Sequence, residues 1–221
     1  MNFDFSEDQK FLANEARKFL ESQCSMAEVR AILDDESKPF SEGVWKKVVE
    51  MGWLGTSIPE EHGGLGLGML EMCVLAEEMG RVLAPVPFTS TAYFFTEALK
   101  LAGSEAQQAD LFPKIVSGEV VGCFAASEGP GNPDAGSLKT VFDGKTVSGL
   151  KVPVTDGDIA THAVVLAKDG KGASLVLVDL SAKGVTKKVL STLDPTRSHA
   201  ELAFDKVPAT LLGKSGDGAR L

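Results

Sequence analysis

The stretch Phe124–Thr140, FAASEGPGNPDAGSLKT, decides how this chain is read. Gly129, Pro130, Gly131, Pro133 and Gly136 crowd it too densely for a helix interior or a plain strand, because glycine loosens both and proline breaks both. Helix-like sequence ends just before it and strand-like sequence begins at its far end. A loop of this composition, if buried, leaves backbone N–H and C=O groups in need of partners, and a flat polar ligand can supply them. The stretch therefore marks a boundary and hints at a cofactor.

Working upstream, the pattern is helical. Ser6 and Gln9 form a capping box ahead of an apolar stripe of Phe11, Leu12, Ala16, Phe19 and Leu20. A second helix is predicted over Ser41–Met51, with Val44, Trp45, Val48 and Val49 inward and Gly52 as a left-handed stop. A third covers Met69–Met79 with Gly80 after it. A fourth covers Thr89–Leu101, rich in Tyr93, Phe94, Phe95 and Leu99. Ser104 and Gln107 cap a last one that ends near Ser117-Gly118.

Working downstream, the period changes near Val120. Val141–Val147 carries Asp143-Gly144 at its centre, the signature of a tight hairpin. Strands are predicted at Val120–Phe124, Thr161–Lys168, Ala173–Leu180, Val185–Leu190 and Ala200–Phe204. Close spacing without intervening helices gives an antiparallel sheet or small barrel. The fold class is thus α+β, an N-terminal all-α domain followed by an antiparallel β-barrel or sandwich domain, with the boundary around residues 117–121.

Composition limits the partners. The 221 residues are 43% hydrophobic and 24% charged, with a formal net charge of -9, which argues against nucleic acid because phosphate binding relies on basic clusters. No apolar run is long enough to span a bilayer. The N-terminus lacks the plan of a signal peptide, and Cys24, Cys73 and Cys123 are scattered, so reduced thiols in a cytoplasmic protein are expected. His62, His162 and His199 are equally dispersed, and no metal site is expected.

Several segments in fixed order resemble one family. Trp45-Lys46-Lys47, Glu50–Gly55, Ile58–Gly66, Glu77–Arg81 and Leu111–Glu119 resemble the N-terminal helical domain of acyl-CoA dehydrogenases, and Phe124–Thr140 resembles the start of that family's middle β-domain. The resemblance implies three domains, with residues 1–118 helical, 119–213 a β-barrel and 214–221 the start of a C-terminal helical domain that is otherwise missing. It implies FAD as cofactor, an acyl-CoA thioester as substrate, α,β-dehydrogenation as the reaction and an electron-transferring flavoprotein as acceptor. It also implies a homo-oligomer, or a heteromer with a related subunit.

By this resemblance Phe124, Ala126, Ser127, Val154 and Thr155 fall at the flavin ring, and Pro133 falls where many members place an acyl-CoA-contacting serine. A Thr155 hydroxyl bond to the ring and backbone N–H groups toward its negative charge make chemical sense. By residue type alone, Ser127 and Thr155 are equally turn formers at strand ends. His62 reads as a loop residue, and Arg197 either approaches an anion or pairs with Asp194.

Three departures stand out. Pro153 replaces an aromatic of the family's W-I-T motif, and Pro133 has no hydroxyl or N–H to offer. The family's catalytic base is a glutamate of the C-terminal domain, so no residue here is assigned as catalytic, and a fragment of a longer chain is the favoured reading. Two other functions share this pattern, a non-catalytic partner subunit and a flavin oxidase or monooxygenase of the same fold.

Overall fold

In the computed structural model, residues 4–35, 38–131 and 136–218 are described. Six α-helices come first: α1 Glu7–Gln23, α2 Met26–Leu33, α3 Glu42–Glu50, α4 Met69–Arg81, α5 Thr96–Ala102 and α6 Glu105–Val116. Both sequence-read capping boxes are present, with the Ser6 and Ser104 hydroxyls accepting from the N–H groups of Gln9 and Gln107. Ser41 caps α3 in the same way, and Gly52 takes the left-handed conformation at φ 73°.

Several expectations need correction. Phe11 is 68% exposed and lies off the buried stripe, where Ala16 and Leu20 do the packing. Helix α4 runs through Gly80 to Arg81. The fourth predicted helix is two pieces, a π-helical stretch Thr89–Phe95 leading into α5, and Phe94 points outward. Helix α2 was absent from the sequence reading, although Ser25 followed three residues later by Glu28 is a cap signal.

Helices α1 and α4 are joined through charge. Arg17 donates to both carboxylate oxygens of Glu78, at 2.9 and 2.6 Å, and Arg81 lies 3.3 Å away on the other side. Glu78 is only 2% exposed, and these partners hold its carboxyl below the usual range, Arg17 most of all.

Eight strands follow: β1 Gly122–Ala125, β2 Val141–Phe142, β3 Thr146–Thr155, β4 His162–Asp169, β5 Gly172–Asp179, β6 Val185–Val189, β7 His199–Pro208 and β8 Thr210–Leu212. They form a single open sheet in the order β6-β7-β3-β2-β4-β5-β8, with β1 beside β4. The sheet is mostly antiparallel but mixed, because β1 runs parallel to β4, as does β2 at its single contact. The helical region followed by a mostly antiparallel sheet is the expected α+β class, with the sheet open rather than closed into a barrel.

Strand β4 is buried on both faces. Val164 and Leu166 face the helical core with Leu20, Trp53, Phe95 and Phe112, while Ala163, Val165 and Ala167 face a second core with Val147, Val154 and Phe204. This follows from the two-residue period of a strand. Strand β1 meets the π-helical stretch so closely that a β-carbon on Gly122 would lie 2.1 Å from Cγ of Phe95.

Candidate functional site

Two segments of the sequence-read site meet across one bridge. Glu128 pairs in parallel with Val152, where the Val152 N–H donates to Ser127 O at 2.9 Å and the Gly129 N–H donates to Val152 O at 2.8 Å. Ser127 is thereby held against β3, three residues before Thr155. Both residues are half-buried.

The chemistry of this wall lies in its free donors. Among the described residues, no hydrogen bond is found from the backbone N–H groups of Ser127 and Glu128 or from the Thr155 hydroxyl, and since no buried side-chain polar atom lacks a partner, that hydroxyl is open to water. The Ser127 hydroxyl donates to Gly129 O at 3.1 Å. Gly129 and Gly131 both have positive φ and open space where a side chain would stand. A flat ligand carrying acceptor atoms fits such a donor set, since unpaired backbone donors that lose water need replacement partners.

The other sequence-read residues are arranged less uniformly. The half-buried Phe124 ring lies 6.4 Å from that of Phe94, which is 56% exposed, so two aromatic rings flank the junction of helices and sheet. Val154 is fully buried in the second core and its main chain pairs with Ala200, so its side chain is closed to a ligand. The Ala126 carbonyl is taken by Lys151. Pro153 follows a cis peptide bond and is exposed at a register shift in β3. Pro133 lies outside the described residues.

Sequence reasoning missed the charged supports beneath this wall. Lys151 is 0% exposed; its ammonium donates to Glu128 Oε1 at 2.8 Å and to Ala126 O at 3.0 Å. Glu128 also accepts from the N–H groups of Lys139 at 2.7 Å and Thr140 at 3.0 Å. Burial pushes the Glu128 carboxyl up, but Lys151 and these N–H groups outweigh it and bring it down to about 2. Burial also pulls the Lys151 ammonium down, against the pull of Glu128. With three donors converging on the carboxylate, the ionised pair is the state at neutral pH. The available signal was periodic: counting by two from buried Val147 puts a lysine on the inward face, where it needs a partner.

Asp156 is the second support. It follows Thr155 with a left-handed backbone (φ 56°), is buried, and accepts from Ser90 and, at 3.4 Å, from Ser198. Burial pushes its carboxyl up, with Arg197 and Ser90 working against that. Arg197 itself donates to Val86 O, and among the described residues it forms no ion pair with Asp194. It lines a cleft of about 240 Å³ with Met79, Val86 and Phe88, and none of the proposed ring-contacting residues lines that cleft. His62, half-buried, packs its ring 5.2 Å from that of Phe112.

Residues 6–119 match the family described as acyl-CoA dehydrogenase, N-terminal domain. The chain is 32% identical to the acryloyl-CoA reductase (NADH) of Anaerotignum propionicum, a match covering 100% of this chain and 60% of that protein. It is 31% identical to the mitochondrial isovaleryl-CoA dehydrogenase of Pongo abelii over 96% of this chain and 54% of that one. The solved glutaryl-coenzyme A dehydrogenase–glutaryl-CoA complex superposes with a TM-score of 0.88 at 25% identity, covering 100% of this chain and 60% of that one. This chain thus spans between 54% and 60% of the length of these relatives.

Proposed function

Because the chain belongs to the acyl-CoA dehydrogenase family, we propose that it forms the helical part, residues 1–118, and the middle β part, residues 119–213, of a flavin-dependent acyl-CoA dehydrogenase. The reaction proposed for the whole enzyme is α,β-dehydrogenation of an acyl-CoA thioester, with an electron-transferring flavoprotein as acceptor and oligomeric assembly. FAD, when bound, supplies the hydride-accepting ring. The residues that would hold that ring are Phe124, Ala126, Ser127, Val154 and Thr155.

The observation that carries this reading is the Glu128–Val152 bridge. It joins the two segments that the family pattern assigns to one ring, beside a Ser127 N–H and a Thr155 hydroxyl that have no hydrogen bond among the described residues. Unpaired donors held in place beforehand stabilise negative charge on a ligand without reorganising. The chain's own residues thus bind and orient the ring. Glu128 does not serve as the proton acceptor, because Lys151 and two N–H groups already hold it ionised at about 2.

The test is flavin binding followed by turnover. Purified protein mixed with FAD is expected to show visible circular dichroism from an ordered flavin. The same segment within a chain of full family length is expected to reduce a dye on addition of acyl-CoA. A chain that orders no flavin in either form refutes the assignment. A non-catalytic partner subunit is the second reading, favoured by Pro153, which offers no aromatic ring; binding of FAD without acyl-CoA-dependent reduction would select it.

A further inference from the structure

We propose that Lys151 and Glu128 are a positioning pair that presets Ser127 for the ring ligand; this deepens the flavin reading above and rests on it. The geometry is specific. Lys151 Nζ reaches Ala126 O and Glu128 Oε1, the residues on either side of Ser127. Glu128 in turn gathers the N–H groups of Lys139 and Thr140, which lie across the glycine-rich loop. Thr140 is anchored to the sheet through its carbonyl, which accepts from Lys168 at 2.8 Å. One ion pair therefore ties both ends of the loop to β3, on the strand that ends in Thr155.

Stability alone is a poor account of this pair. Replacing a buried ion pair by apolar or neutral groups of similar volume is often harmless to folding, whereas removing one partner is not. What neutral groups do not reproduce is direction. The ammonium fixes the Ala126 carbonyl, and with it the plane of the following peptide, whose N–H is the free donor of Ser127. Losing the pair frees that plane to rotate while the core residues beneath it stay packed.

The test uses the full chain as wild type, Lys151→Met, Glu128→Gln and the double variant Lys151→Met/Glu128→Gln. The readouts are thermal unfolding, FAD affinity by fluorescence quenching, and amide exchange at Gly129 and Val152. In the double variant, an unchanged melting temperature is expected with FAD affinity weakened by about tenfold and exchange at those two amides accelerated by a similar factor. Wild-type FAD affinity in the double variant overturns the proposal. So does a loss of affinity that merely tracks a loss of fold in every variant. Should the double variant not fold, Glu128→Gln alone decides it: exchange accelerated at Gly129 and Val152 beyond the global loss of stability, with weaker FAD binding, supports positioning, and acceleration that only matches that loss refutes it. If the wild type binds no FAD, the flavin reading fails. The exchange readout then decides the pair, with protection kept at Gly129 and Val152 in Glu128→Gln refuting it and selective loss supporting it.

Discussion

Ser90 donates its hydroxyl proton to the buried carboxylate of Asp156, joining the π-helical stretch to the end of β3. A charge is thus kept in the interior directly after Thr155, and its protonation couples to folding. Burial raises the folded-state pKa above the ordinary 3.8. The native protein then binds more protons than the unfolded chain between those values. Stability is fully present below the unfolded pKa and declines as pH rises through the folded one. Asp156→Asn removes that penalty and keeps a residue type that tolerates positive φ. The variant is expected to melt higher than wild type at neutral pH, with the advantage vanishing near pH 3.8. Equal melting temperatures at neutral pH would contradict it.

Glu128 gives the opposite slope. Its folded pKa lies at about 2, below the ordinary 4.5, so its contribution is present above pH 4.5 and is lost as pH falls toward 2. Denaturant titrations across that window are expected to show a shallower acid loss in Glu128→Gln than in wild type.

Gly122→Ala probes the contact of β1 with the π-helical stretch. A β-carbon would lie 2.1 Å from Cγ of Phe95, a fully buried ring. Overpacking of this kind costs ~1–3 kcal/mol. Phe95→Leu should cost less in the Gly122→Ala background than alone, a coupling that a double-mutant cycle on chemical denaturation measures.

Removing the Glu78 carboxylate leaves Arg17 and Arg81 facing each other across α1 and α4. Breaking a buried pair is expensive, but both arginines are partly exposed, so the loss for Glu78→Ala is set at ~2 kcal/mol. Glu78→Gln should recover part of it.

Thr155→Val separates binding from folding. No buried side-chain polar atom among the described residues lacks a partner, so the unbonded Thr155 hydroxyl is open to water, and its removal should leave the melting temperature unchanged. FAD affinity is expected to drop by about tenfold, the order of one lost hydrogen bond. An unaltered dissociation constant would remove Thr155 from the ring site.

What could be read from the sequence was local. Ser6 with Gln9, Ser41, Gly52 and Ser104 with Gln107 act within a few residues of where they stand, and each of these caps is found in place. Asp143-Gly144 turned the chain into β3 for the same reason. The parallel partnership of β1 with β4 was illegible, because about 40 residues separate Gly122 from His162 and register depends on distant pairing. Phe11 and Phe94 misled because an aromatic residue in a helical pattern does not state which neighbour covers it. The residues proposed to hold the ring were read by family resemblance. Lys151 and Asp156, which support them, carry charges that make sense only once their partners in Glu128 and Ser90 are known.

Strand β4 shows its two faces to two different sets of apolar side chains. A cut at residues 117–121 would therefore yield not two independent modules but two halves with matching greasy wounds. Thermal melts followed by the fluorescence of Trp45 and Trp53, both in the helical region, and by hydrogen exchange of the β4 and β7 amides should superimpose on one curve. In evolution and in engineering alike, the helical layer and the sheet are then obliged to travel as one piece.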